Sequence, residues 1–191
     1  VTDRQDTPLM SANASRLSTF KAIEQAISDA IISEDEIADR ASNELFQIRR
    51  KMRACNERVR ERLNGMIHNP NFQKYLQDAI ITMRADRYVL PVRQEYRSMV
   101  PGIVHDQSST GATVFIEPMS VVEIGNELKQ LISPEKVEIE KILRTLSAQI
   151  APEADAISDN LAILAQLDFA FSKASLAKQM NGCICLLYTS D

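Results

Sequence analysis

The chemistry this chain can offer rests mainly on arginines. Arg49, Arg50, Lys51, Arg53, Arg58, Arg60 and Arg62 crowd one stretch, and Arg84, Arg87, Arg93 and Arg97 accompany Tyr88 and Tyr96 in another. Guanidinium groups at this density suit phosphate oxygens, and tyrosines among them suit stacked bases. Charge alone leaves two readings open. A solvated helix face accounts equally for the first group, and Asp86, Glu95, Asp106 and Glu117 formally offset the second.

Catalytic equipment is sparse. His68 and His105 are the only histidines, too few for a His-rich metal site. His105-Asp106 beside Ser108-Ser109 has the residue types of a nucleophile triad, but neighbours on a strand face opposite ways, so a turn that caps its own backbone is expected instead. Cys183-x-Cys185 lacks a second ligand pair. Glu135, Glu138 and Glu140 lie near Lys136 and Lys141 and read as solvated helix charge paired at i, i+3 or i, i+4. The sequence holds no Gly-x-x-x-x-Gly-Lys-Ser/Thr loop and no Gly-x-Gly-x-x-Gly, and its five glycines are scattered.

Helices must position most of these residues. Ile37, Ala41, Leu45, Ile48, Met52, Cys55, Val59, Leu63 and Met66 step by three or four, averaging about 3.6, the α-helical repeat. The spacing predicts one long helix from Ile37, with Ser33 or Asp35 as N-cap and Gly65 and Asn69-Pro70 as the stop. A shorter helix is expected over 15–32, carrying Leu17, Phe20, Ile23 and Ile27. Residues 79–117 read as two hairpins and about four strands. One turns at Ala85-Asp86, with Pro91 favouring an edge position; the other turns at Ser108–Gly111. Helix resumes after Pro118, is expected to kink or restart at Ser133-Pro134, and continues after Pro152 with Ile157, Leu161, Leu164, Leu167 and Phe171. The order places a small antiparallel sheet between two long helices, which implies an antiparallel helical stalk with the sheet at its tip.

At 191 residues, 45% hydrophobic and 25% charged, the chain has the profile of a folded domain with an aliphatic core, since tryptophan is absent and aromatics are 5%. The net charge of −4 conceals a basic block over 37–76 between acidic flanks. No run reaches the roughly 20 apolar residues of a membrane span, no leader opens the chain, and three cysteines fit a reducing cytoplasm. The chain starts at Val1 without a methionine and stops in Cys183–Asp191 without periodicity or cap; it reads as a fragment, with 181–191 a non-native tail outside the fold.

One continuous stretch carries a resemblance. Arg84-Ala85-Asp86-Arg87-Tyr88-Val89-Leu90-Pro91-Val92-Arg93-Gln94-Glu95-Tyr96-Arg97, then Val100 through Pro118, resembles the bacterial MutS-II family, the paralogue of mismatch-repair MutS that does not itself repair mismatches. Ala41-Ser42, Ile48-Arg49, Tyr75-Leu76-Gln77 and Leu167 to Ala174 extend the likeness over about residues 10–180.

The resemblance implies a mainly α fold: a long antiparallel helical lever with a small antiparallel β clamp inserted at its tip. Residues 1–36 would be a helical core segment, 37–78 the ascending lever helix, 79–117 the clamp, and 118–180 the descending lever and core helices. Ser133-Pro134 departs from the uninterrupted helix usual in the family. The family's full-length proteins are cytoplasmic, dimeric ATPases with a C-terminal Smr nuclease. They are associated with suppressing recombination by binding and nicking branched DNA, and with ATP-driven rescue of collided ribosomes. Their ATP, Mg and catalytic domains would lie beyond this fragment, which is expected to contain neither catalytic residues nor a cofactor or metal of its own. Its partners would be DNA or ribosomal RNA, with no membrane. Arg84, Arg87, Arg93 and Arg97 would make the main contact, mostly solvated, with Arg49 and Arg53 on the long helix as a second. A fragment of a mismatch-repair MutS and a purely structural helical interaction module are the alternatives.

Overall fold

The computed structural model describes residues 8–182. These are mainly helical with two small antiparallel sheets, and the described residues divide into two compact units, residues 29–143 and residues 8–28 with 144–182. In chain order, α1 (Pro8–Ser15) and α2 (Lys21–Ala30) precede a ribbon of β1 (Ile31–Ser33) and β2 (Glu36–Ile37). Then come α3 (Asn43–Ile67), α4 (Pro70–Gln73), β3 (Thr82–Arg84), β4 (Arg87–Arg93), β5 (Gly102–Gln107), β6 (Thr113–Pro118), α5 (Met119–Ile150) and α6 (Ala154–Gln179). Of the expected tail, 181–191, Asn181 at φ 49° and Gly182, whose N–H donates to the Ala177 carbonyl at 2.7 Å, close α6 rather than leave the fold, and 183–191 lie outside the described residues.

The long helix does not begin at Ile37. Residues 31–37 fold back, pairing Ile31 with Ile37 and Ser33 with Glu36, and a single 3-10 turn over Asp39–Ala41 precedes α3. β-Branched Ile31, Ile32 and Ile37 favour extended backbone. The N-cap is therefore Ser42, not Ser33 or Asp35: its Oγ accepts from the Leu45 N–H at 2.9 Å. Ile37 is buried all the same, so the apolar stripe persists while the backbone beneath it changes. With 25 residues, α3 is about 37 Å long at 1.5 Å per residue.

Of the expected kink or restart at Ser133-Pro134, the restart is corrected, because α5 is one continuous helix with Pro134 inside it. Proline removes the hydrogen bond to the carbonyl four residues back, here Gln130. Both residues are exposed, so water can take that carbonyl.

In the residue 29–143 unit, α3 and α5 lie side by side in opposite directions. Ser42 bonds Glu138 at 2.9 Å, Arg49 bonds Glu135 at 2.7 Å, and Arg58 bonds Glu127 at 3.0 Å. The sheet has the order β3-β4-β6-β5. Leu90 and Val92 of β4 and Val114 and Ile116 of β6 face Cys55, Val59, Leu63 and Ile67 of α3 and Val121 and Ile124 of α5, in one buried cluster. Alternation along each strand sends the other residues to the opposite face.

Both expected hairpins form. Ala85 and Asp86 have φ of 49° and 59°, the left-handed pair a type I′ turn requires. Pro91, expected at an edge, lies in the inner strand β4. β6 covers one side of it. On the other side, β3 pairing stops at Val89, and residues 75–77 take over through Gln77 N–H to Pro91 O at 2.8 Å and Arg93 N–H to Tyr75 O at 2.9 Å. Pro91 cannot return the bond to the Gln77 carbonyl, and this loss falls at the changeover, where the β3 ladder has already ended.

In the other unit, α1 contacts α6, and Asn160 brackets the Ser18 backbone with bonds of 2.9 and 2.8 Å. Ile163 is the buried residue of α6, whereas Leu161, Leu164 and Phe171 are exposed.

Candidate nucleic-acid interface

The six arginines expected at the interface fall into three pairs. Arg84 and Arg87 are register partners across the β3–β4 hairpin, on the face away from Leu90 and Val92. Arg84 donates from Nε to Asp106 at 3.1 Å, and its guanidinium lies 4.3 Å above the Phe115 ring. Arg87 donates to Glu117 Oε1 at 3.1 Å and to Asn126 Oδ1 on α5 at 2.7 Å. With 15% of its side chain exposed, Arg87 is not the solvated group expected.

Glu117 explains the difference. Its carboxylate, 2% exposed, lies between Arg87 and His105, whose Nε2 stands 2.7 Å from Oε2. An ionised carboxylate only accepts, so the imidazole donates. His105 occupies the register shift between Val104 and Asp106, a bulge that re-aims its ring. Gly125 on α5 makes the approach possible, for a Cβ there would stand 2.7 Å from both Arg87 Nη1 and Glu117 Oε1.

Arg49 and Arg53 form the second pair, and both reach Asp39. Arg49 donates to Asp39 at 2.8 Å, to Glu135 at 2.7 Å and to the Ile37 carbonyl at 2.6 Å; Arg53 donates to the other Asp39 oxygen at 2.7 Å. Burial works against the Arg49 charge, but the bonds to Asp39 and Glu135 outweigh it and raise this guanidinium above its ordinary value. The bonds from Arg49 and Arg53 hold the Asp39 carboxyl below the usual carboxylate range.

Arg93 and Arg97 are the third pair, exposed and without an ion-pair partner among the described residues. Arg50, Lys51, Arg60 and Arg62 on α3 are exposed and unpaired in the same sense. The tyrosines part company as well. Tyr88 packs on the core and donates to Asn56 at 2.9 Å, while Tyr96 lies 5.4 Å from Tyr75.

No nucleophile triad forms: His105 faces Glu117, Asp106 faces Arg84, and Ser108 Oγ accepts from the Thr113 N–H at 3.1 Å, the self-capping turn expected. Glu135 and Glu138 are not simple solvated charges. Glu138 accepts from Ser42 at 2.9 Å and Lys141 at 2.9 Å, and Glu135 from Arg49, so both tie α5 to α3. Burial and the nearby Glu127 push the Cys55 thiol up, which keeps it protonated and unreactive. No group of three potential metal ligands occurs among the described residues, and none of the described helices is long and apolar enough to cross a membrane.

Sequence reasoning missed Asp39, Gly125 and Asn126. Asp39 acts through Arg49 and Arg53 on the next helix, Gly125 and Asn126 act through Arg87 far back in the chain, and only the Glu117 charge in a strand of apolar neighbours signalled a buried pair.

No family model matches the chain. It is 49% identical over 180 residues to the Endonuclease MutS2 of Alkaliphilus metalliredigens, covering 94% of this chain and 23% of that protein. It is 52% identical over 175 residues to the Endonuclease MutS2 of Clostridioides difficile, covering 92% and 22%, and 48% identical over 169 residues to that of Acetivibrio thermocellus, covering 88% and 21%. The chain thus spans less than a quarter of the length of these curated relatives.

Proposed function

Since the chain belongs to the MutS2 family, as one segment of a longer protein, we propose that it is the nucleic-acid-binding core, lever and clamp portion of a MutS2-type ATPase and endonuclease. In this reading α3 and α5 are the lever, the four-stranded sheet is the clamp, and the target is branched DNA or the ribosomal RNA of collided ribosomes, in the cytoplasm and as a dimer. ATP and Mg belong to other parts of the protein. The residues here do not fit them, for the sequence has no phosphate loop and the described carboxylates form no metal-binding trio.

One observation supports the reading most: a set of exposed cations without carboxylate partners, Arg93 and Arg97 at the sheet and Arg50, Lys51, Arg60 and Arg62 on α3. Arg84, Arg87, Arg49 and Arg53, held by carboxylates, order the surface on which these project. Phosphate contacts of this kind position a duplex or branch without reading its sequence. The pinned arginines favour a second reading, a helical interaction module with no nucleic-acid partner.

Anisotropy titrations of the chain against a synthetic four-way junction and a ribosomal RNA fragment separate the two. With about three phosphate contacts, affinity should fall about 40-fold between about 50 and 200 mM salt. Salt-independent binding, or none, would leave the interaction module standing.

A further inference from the structure

We infer that the sheet end where β4 leaves it is a phosphodiester-binding cradle, built from Lys74, Arg93 and Arg97 beside the Ser109-Thr110 turn. The inference rests on the nucleic-acid reading above and gives it a specific contact site, including a lysine outside the arginine clusters.

Three chain segments converge there. Arg93 is the last residue of β4, and its N–H donates to Tyr75 O at 2.9 Å, which brings Lys74 alongside. On the other side, Arg93 is the register partner of Thr113, and Gln94 N–H donates to Ala112 O at 3.0 Å, which brings in the β5–β6 turn. Arg97 follows in the 3-10 helix Gln94–Met99.

Aromatic packing fixes the backbone beneath the three cations. Tyr75 and Tyr96 lie 5.4 Å apart, Phe72 meets Tyr75 edge-on at 5.8 Å, and all three rings pack against the core cluster. Lys74 Nζ stands 5.0 Å over the Tyr75 ring, so its stem is guided while its charge stays in solvent. None of the three cations has an ion-pair partner among the described residues. Glu95, exposed in the same 3-10 helix, is the carboxylate nearest in sequence to Arg93 and Arg97, and it leaves the group of four net positive.

The turn adds neutral donors. Gly111 at φ 74° closes it, Ser108 Oγ is occupied by the Thr113 N–H, and Ser109 and Thr110 are exposed. Three cations on this rim beside the exposed Ser109 hydroxyl and the Thr110 hydroxyl, which lies 3.4 Å from Ser108 Oγ, suit the oxygens of successive phosphates, contacts that carry no sequence information. Arg84 and Arg87 differ because their guanidinium groups already have carboxylate partners.

The test compares two charge-matched triple variants of the whole chain, K74Q/R93Q/R97Q and R50Q/R60Q/R62Q, by salt titration on a four-way DNA junction and on an RNA hairpin. The sheet-end triple should flatten the log–log salt slope by about 2 to 3 and weaken binding at least tenfold, with the helix triple changing the slope by less than about 1. Retained binding by the sheet-end triple, or equal losses from both triples, would overturn the cradle while nucleic-acid binding stands. No salt-dependent binding by the unmodified chain would overturn both. Equal melting temperatures would show that the triples stay folded, and the single variant K74E, which should lose more affinity than K51E, repeats the test with one residue altered.

Discussion

Helices α3 and α6 carry apolar residues at the same spacing and meet opposite fates. On α3, Leu45, Ile48, Cys55, Val59, Leu63 and Ile67 are buried. On α6, Leu161 is 69% exposed, Leu164 51% and Phe171 63%, with Ile163 as the buried residue. Periodicity marks a face that needs cover, and the cover has to come from elsewhere. For Cys55, Val59, Leu63 and Ile67 of α3 it comes from the sheet and the first turns of α5. For α6 no described residue supplies it on the Leu161–Phe171 side.

The sharpest way to break this contrast is a pair of truncations read by urea denaturation. Leu63→Ala should cost roughly 2–5 kcal/mol, because Leu63 is fully buried and the cavity cannot collapse between two helices and a sheet. Leu161→Ala should cost less than about 0.5 kcal/mol. Equal costs would mean that α6 is covered in solution as completely as α3.

A polar change tests whether the α3 side is held by apolar packing alone. Glu117→Ala removes the acceptor of Arg87 and His105 and should cost about 2–3 kcal/mol, by leaving the half-buried Arg87 guanidinium and the His105 ring short of a partner. If stability is unchanged, the network is an ornament on a core that stands without it.

The smallest expected effect concerns pH. Asp39 has a folded pKa below its ordinary 3.8, so its contribution is fully present above that value and is lost as pH falls through the lower folded one. Stability should decline on acidification below about pH 4. Asp39→Asn should flatten this part of the acid limb and leave the neutral side of the profile almost parallel to that of the unmodified chain. An unchanged acid limb would show that Arg49 and Arg53 do not depend on Asp39.

The sequence made the long helices legible, since a stripe nine residues deep from Ile37 to Met66 admits one period. It made both hairpins legible through Ala85-Asp86 and Ser108–Gly111. It misplaced the start of α3, because Ile37 serves the same buried face from a ribbon as it would from a helix, and periodicity does not distinguish the two. It allowed a restart at Pro134 because the cost of proline depends on whether water reaches the freed carbonyl, which is a tertiary fact. The arginines were legible as a class. Which were exposed and which were held depended on Asp39, Asp106 and Glu117, and these approach only after the chain has folded.

The knot at Glu117 has a consequence for how the sheet opens. β4 supplies Arg87, β5 supplies His105, β6 supplies the carboxylate, and α5 supplies Asn126 and the gap at Gly125. Each of these elements that frays takes a bond away from the buried Glu117 carboxylate or from its Arg87 partner. Partial opening is thereby made almost as costly as complete opening, and the sheet and the first turns of α5 should exchange their amide hydrogens as a single cooperative unit.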